Sequence, residues 1–355
     1  MFVRLLRTGQ RGLWLALGAI VGIGLENKWN IGFLAVALVI GLLAGGRARA
    51  LLDPWAWAGV ALAVFLWLPD LLWNAGHQWA EVSMTHQLHA ENGGLGAALR
   101  FVPAQFVVVG PVLVVFWVAG LGHLARVSTW RPVAAAYLFL LAFFTLGGAK
   151  PYYLAGMYYA LFAGGGVWAE RRLLSREPPR GVRGWVALML AGLAMALPLT
   201  LPVLPEQAQP TRSWISNVNK DLSATIGWPQ FVAQVAAVAH HLPPDEQAHL
   251  VVFTGDYGAA GAIDLYGAHD GLPHAISGHN TYWWWGPAGA RDGATTIAVN
   301  LPRAYLETIF TEVIPAGAVR TPGDVWTEER GAPIWVCRGQ KVTWARAWPS
   351  ARHYD

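Results

Sequence analysis

The sequence predicts a membrane all-α helical bundle of about seven transmembrane or re-entrant helices, followed by a small extracytoplasmic α/β domain. Three observations predict this class. Apolar segments recur through residues 1–204, arginines gather in every second connection between them, and the composition turns soluble-like after Pro202, Pro205 and Pro210. The same change places the expected boundary, with residues 1–204 as the bundle and 205–355 as the exported domain.

The apolar segments are residues 12–25, 30–45, 54–75, 101–123, 132–147, 151–169 and 184–204. A helix crossing the hydrocarbon core needs about 20 apolar residues, so the first two are short: they are either two spans or one re-entrant hairpin. Both alternatives return the chain to the side it left. One set of connections carries Arg4, Arg7, Arg11, Arg47, Arg49, Arg126, Arg131, Arg171, Arg172, Arg176, Arg180 and Arg183, and the opposite set only Lys28, Arg100 and Lys150. Lysine and arginine in short loops mark the cytoplasmic side. The expected protein is therefore multi-pass in a bacterial-type plasma (inner) membrane, with a cytoplasmic N-terminus and an extracytoplasmic C-terminal domain. Trp29, Trp73, Trp79, Trp130, Trp168 and Trp185 stand at segment ends, where the amphipathic indole prefers the headgroup layer. The basic start, residues 1–10, runs into an apolar stretch with no small-residue cleavage site, and reads as an anchor.

Composition agrees. The chain is 55% hydrophobic and 13% charged, against about 25% charged in soluble domains. The net charge of +4 comes from cations expected beside anionic lipid headgroups, which argues against nucleic acid and makes membrane lipid the first expected partner. A single cysteine, Cys337, excludes an intrachain disulfide and a thiolate metal cluster. Its apolar neighbours Ile334, Trp335 and Val336 suggest a buried strand thiol.

Three outer features exceed what lipid solvation explains. The first is the turn Glu26-Asn27-Lys28-Trp29-Asn30. Charge held near membrane depth marks a functional site: Lys28 either meets an anion such as a lipid phosphate or pairs with Glu26 at a hairpin tip. The second is the loop 76–100, with His77, Glu81, His86, His89 and Glu91. His86 and His89 share a helix face with Glu91 close by, a weak divalent-metal candidate with no second cluster in support; no other cofactor is suggested. The third is Gly147-Gly148-Ala149-Lys150-Pro151-Tyr152-Tyr153, where Lys150 and Tyr152 suit phosphate and sugar, or the tyrosines are belt residues.

In the tail, residues 230–242 have helical apolar spacing, and residues 250–254 read as a buried strand entering a Gly-rich turn and helix through residue 267. A strand at 295–300, a helix at 302–310 and a strand at 333–337 complete an α/β pattern. Gly255, Gly258 and Gly261 open the helix after the strand, but the spacing is not a dinucleotide fingerprint, and close turn packing explains them better. The run Tyr282-Trp283-Trp284-Trp285 follows His279 and Asn280. Aromatic faces beside hydrogen-bonding groups suit sugar recognition, and they equally suit a membrane surface. Asp256, His279, Asn280 and Trp283 are the candidate acceptor or sugar contacts.

Several of these segments together resemble the polytopic GT-C glycosyltransferases of the family 39 type, relatives of protein O-mannosyltransferases and aminoarabinose transferases. The matching runs are Gly22-Ile23-Gly24-Leu25-Glu26-Asn27-Lys28, Leu68-Pro69-Asp70-Leu71-Leu72-Trp73-Asn74 before His77, and the Lys150 turn. In the tail they are Gly255-Asp256-Tyr257-Gly258-Ala259-Ala260-Gly261-Ala262-Ile263 and Ser277-Gly278-His279-Asn280-Thr281-Tyr282-Trp283. The resemblance implies hexosyl or pentosyl transfer from a polyprenyl-phosphate donor to an extracytoplasmic glycan, lipid or protein acceptor. Lys28, Lys150 and Tyr152 would hold the donor phosphate. The acidic catalytic loop that opens such enzymes has no counterpart here, so the catalytic residues are unassigned and the chain is expected to be the C-terminal two thirds of such an enzyme. Its alternative is a non-catalytic polytopic protein whose exported domain binds glycan or a protein partner. A transporter is disfavoured, since charges within the helices are scarce and repeats are not evident.

Overall fold

Small residues set the packing of the N-terminal half. A Cβ on Gly18 would collide with the Gly59 backbone oxygen, and one on Gly22 would stand 2.7 Å from the Ala63 oxygen. The Gly18-x-x-x-Gly22 face therefore lies directly on Gly59-x-x-x-Ala63, the close approach that apolar helices use when no hydrophobic effect drives them together. The structure, a computed structural model, describes residues 1–174, 181–201, 203 and 220–354, without the side chains of residues 91, 92, 173, 174, 199 and 324. Arg176, Arg180, the boundary expected at residue 205 and the carboxylate of Glu91 lie outside the described residues.

Two compact units are formed, Met1–Gly192 and Leu193–Asp355. The first contains α1 (Phe2–Thr8), α2 (Gly12–Asn27), α3 (Asn30–Ala44), α4 (Pro54–Gly76), α5 (Ala80–Asn92), α6 (Leu95–Val109), α7 (Val114–Arg126), α8 (Arg131–Gly147) and α9 (Ala155–Ala169), and α10 (Val182–Thr200) begins in it. Asp53 caps α4 by accepting from Trp55 N at 3.1 Å, with Pro54 opening the helix. The helices pair as α2 with α4, α3 with α8 and α7 with α9. A central cluster buries Tyr137, Leu140 and Phe144 of α8 with Trp117, Tyr158 and Leu161. Within it, Trp117 Nε1 donates to Tyr137 Oη at 2.9 Å, and Tyr158 Oη donates to Gln105, whose side chain is fully buried.

Among the described residues one helix, Pro54–Gly76, is long and apolar enough to cross a membrane alone. Gly12–Asn27, Asn30–Ala44, Arg131–Gly147 and Val182–Pro198 are apolar but shorter. The single span expected at 101–123 is corrected: α6 and α7 are separate helices bent by 106°. The cause is local, because Gly110 takes φ +83 and ends α6, a conformation that costs glycine little and other residues more.

The second unit is α/β, with a mixed five-stranded sheet in the order β2-β1-β3-β5-β4. It contains α11 (Lys220–Ser223), α12 (Trp228–His240), α13 (Pro244–Gln247), β1 (Val251–Thr254), α14 (Tyr257–Tyr266), β2 (Ala275–Ser277), α15 (Thr281–Trp285), β3 (Thr296–Val299), α16 (Arg303–Ile309), β4 (Phe310–Ala318), β5 (Pro333–Gln340) and α17 (Trp344–Ala351). β1 pairs in parallel with β2 and β3, while β5 runs antiparallel to β3 and β4. Side-chain alternation then makes three layers. Val252, Ile297 and Val336 face α12 and α14, whereas Val251, Phe253 and Ala298 face α16 and α17. Cys337 is fully buried in β5, as its neighbours predict, and burial pushes its thiol up to about 12.

Candidate functional site

A polar hub organises one end of the first unit, where α2, α3, α4 and α5 begin or end. Asp70 stands one residue after Pro69, near the end of the apolar helix α4. Its Oδ2 accepts from Trp29 Nε1 at 2.8 Å and from Trp67 Nε1 at 2.9 Å, and its Oδ1 accepts from Asn74 Nδ2 at 3.1 Å. Asp70 N also donates to Glu26 Oε1 at 3.2 Å. The hub therefore ties both residues flanking the Asn27-Lys28 turn, Glu26 and Trp29, to α4. Asn74, fully buried, accepts from Glu81 N at 3.2 Å and so fixes the start of α5. Gln78 and Trp79 before that helix both have positive φ, a strain that persists where surrounding contacts over-determine it. Glu81 is exposed, yet the protein beneath desolvates its carboxyl and the Asp70 carboxylate repels its charge, and both raise its pKa.

Lys28 extends from this turn towards the Lys150 turn, with Nζ 5.4 Å from the Tyr153 ring centre and 5.8 Å from that of Tyr152. Both distances are within cation–π reach. Beside this contact lies a cavity of about 220 Å³ lined by Gly93, Ala97, Arg100, Phe101, Ala104, Gly148, Ala149, Lys150 and Pro151. Two cations and small residues surround this space. Among the described residues neither Arg100 nor Lys150 has an ion-pair partner. Two cations beside one small cavity have the chemistry to attract an anion. Lys28, Lys150 and Tyr152 are thus gathered, and Arg100, Asp70 and Asn74 join them although sequence reasoning gave them no role. Asp70 had a usable signal, a carboxylate inside an apolar helix; Arg100 had only its place among the three outer cations.

The weak metal candidates fare differently. His89 Nδ1 contacts the Gly147 carbonyl at 2.9 Å, so its ring docks α5 on the end of α8, while His86 is exposed. Among the described residues no group of three metal-ligating side chains occurs.

In the second unit, Asp256, His279 and Asn280 sit at the carboxyl ends of β1 and β2. Asp256 Oδ1 caps α14 by accepting from Ala259 N at 2.6 Å, and its Oδ2 is buried. His279 Nδ1 accepts from Tyr257 N at 3.3 Å, and its ring stacks on His353 at 4.6 Å. Asn280 holds φ +50. Glu329, another carboxyl near Asp256, is driven towards its neutral form mainly by burial. Trp283 has a different setting. Its indole donates to Trp348 O while Trp348 donates back to Trp283 O, both at 2.9 Å, and Arg352 covers its ring at 4.5 Å. The tryptophan most exposed in that run is Trp285.

The structure so far defines a class: a mostly helical protein with a small mixed α/β domain. Residues 1–73 match the family model described as dolichyl-phosphate-mannose-protein mannosyltransferase. This match supports a GT-C glycosyltransferase family, and the matched segment contains Lys28, Trp29, Trp67 and Asp70. No curated protein and no solved structure matches the chain.

Proposed function

We propose that the chain works as a membrane glycosyltransferase component that holds a polyprenyl-phosphate sugar donor at its outer end and serves an extracytoplasmic acceptor. The carrying observation is the cavity lined by Arg100 and Lys150, next to Lys28 and the tyrosine pair. When the bond between the sugar's anomeric carbon and the phosphate oxygen breaks, negative charge collects on the departing phosphate. Fixed cations are most effective where charge develops. Multi-pass insertion with this end outward is supported by the arginine distribution, by the glycine-mediated helix pairs and by the exposed apolar surfaces of α2, α4 and α10.

The test is binding of undecaprenyl phosphate to the full chain in nanodiscs, followed by native mass spectrometry. Saturable binding is expected, weakened about tenfold by Lys150→Ala or Arg100→Ala, which corresponds to about 1.4 kcal/mol. Binding indistinguishable from that of undecaprenol would refute the donor assignment. A second reading, a polytopic protein whose exported domain recognises glycan, is favoured by two buried acceptors without a hydrogen-bond partner among the described residues, Asp256 Oδ2 and Asn280 Oδ1. Retained glycan binding together with absent lipid-phosphate binding would select it.

A further inference from the structure

Large hydrophobic side chains are exposed unevenly over the second unit. Among the described residues from 220 onward there are five, and four of them, Tyr257, Leu265, Tyr266 and Trp285, belong to α14 and α15. The two helices meet through Tyr282, whose Oη donates to Asp264 Oδ2 at 2.9 Å and lies 3.7 Å from where a Cβ on Gly261 would stand. Tyr257, Gly261 and Leu265 follow at four-residue steps and so share one face of α14. Tyr282 rests on that face and carries Trp285 beside it, the ring centres 4.6 Å apart. Behind α15, Trp283 exchanges hydrogen bonds with Trp348, and Arg352 covers Trp283 and Trp284 at 4.5 and 4.8 Å. Those two indoles are held by the unit itself, while Trp285 is presented to its surroundings.

The occupant follows from charge, area and chain continuity. No charged residue stands between Asp270 and Arg291, and the carboxylate bordering the patch, Asp264, is engaged by Tyr282 Oη and by Ala275 N at 2.8 Å. Tyr257, Leu265 and Trp285 are 51%, 72% and 63% exposed, which gives roughly 400 Å² of side-chain surface. That is about half of the roughly 800 Å² each partner gives to a standard protein interface. A bilayer surface asks for no complementary partner area, only amphipathic rings and aliphatic groups at headgroup depth. The second unit also begins at Leu193, inside apolar α10, where Leu193 and Met195 are exposed. With α10 in the membrane, chain continuity raises the effective concentration of the patch at the bilayer, so that a weak contact suffices. We infer that α14 and α15 seat the second unit on the bilayer surface, with Tyr257, Leu265 and Trp285 among the lipid headgroups. The inference rests on the membrane placement proposed above, and not on any sugar donor.

Power-saturation EPR on the full chain tests it, in nanodiscs of phosphatidylethanolamine and phosphatidylglycerol. Nitroxides are attached to single cysteines replacing Leu265, Trp285, Leu190 or Ile314, and buried Cys337 stays unlabelled in the folded protein. Leu190, exposed on α10, reports the membrane placement itself; Ile314, the fifth exposed side chain, lies on the edge strand β4 and serves as the reference away from α14 and α15. Labels at Leu265 and Trp285 should collide with oxygen in preference to a nickel chelate, as the label at Leu190 does, while that at Ile314 favours the chelate. Trp285→Ser should abolish the oxygen preference at Leu265 with the circular dichroism unchanged; a preference that persists overturns the seat. An aqueous label at Leu190 removes the membrane placement and the seat with it. An immersed Leu190 with aqueous Leu265 and Trp285 overturns the seat alone. Shielding of Leu265 and Trp285 from both reagents marks a protein partner or a second copy on the patch, and overturns it as well.

Discussion

Replacing Asp70 should loosen the end of the first unit that carries Lys28. Asp70→Ala removes the acceptor of three side-chain hydrogen bonds, from Trp29 Nε1, Trp67 Nε1 and Asn74 Nδ2. Bonds to a charged partner contribute about 1.5–3 kcal/mol each, but these are partly buried and share one carboxylate, so their losses do not add in full. A cost of about 3–5 kcal/mol is expected. Asp70→Asn keeps one carbonyl oxygen in place and should cost about half as much. For a unit of this size about 1 kcal/mol corresponds to roughly 2–4 °C in Tm, provided its unfolding is cooperative. Differential scanning fluorimetry of the full chain should therefore show a fall of about 6–20 °C for the alanine variant and about half that for asparagine. Amide exchange should rise at residues 27–30 and at the start of α5, because Trp29 and Asn74 connect those backbones to Asp70. An alanine variant within 1 °C of wild type, or exchange unchanged at those residues, would refute the hub.

Three further outcomes follow from packing and charge. Gly120→Val should disrupt the α7–α9 contact, since any Cβ there meets Leu161 and Gly165 backbone atoms; Gly166→Val, whose Cβ would meet nothing within 4 Å, should leave thermal stability unchanged. Cys337 should resist maleimide at pH 8 in the folded chain and react only on unfolding, because burial disfavours the thiolate; rapid native labelling would contradict the burial. Glu246 is bonded to Arg338 at 2.9–3.1 Å and by Thr295 at 2.9 Å, and these contacts lower its pKa. Its stabilising contribution is thus complete above the unfolded carboxylate value of about 4.3 and lost as pH falls through the lower folded value. Glu246→Gln should flatten the acid limb of the stability curve for the second unit, as followed by circular dichroism, and an unchanged limb would contradict the pairing.

Much of the α/β unit was legible because its central strands are short apolar runs bounded by turn residues. β1, β3 and β5 fall where residues 250–254, 295–300 and 333–337 suggested. β4 was missed because Pro315 and Gly317 argue against a strand; it is an edge strand with an irregular register between those two residues, where such residues are tolerated. The break at Gly110 was hidden inside a continuous apolar run, since periodicity records which face is apolar and not which way the axis turns. In the site, Lys28, Lys150 and Tyr152 were readable as outer charges and aromatics. Arg100 was readable as an outer charge but not as Lys150's neighbour, because the two lie 50 residues apart in sequence and only the packing of α6 on the Lys150 turn joins them. The pairing of Trp283 with Trp348 was not legible either, because the two indoles exchange hydrogen bonds with backbone carbonyls 65 residues apart in sequence.

The hub also separates what the carboxylates and cations at this end can do. Both oxygens of Asp70 are occupied by indole and amide donors, so its charge is spent holding the Lys28 turn and α5 in place. Lys28 faces tyrosine rings, and Arg100 and Lys150 face the cavity. Asp70 thus holds the turn from which Lys28 extends, while Arg100 and Lys150 line the cavity.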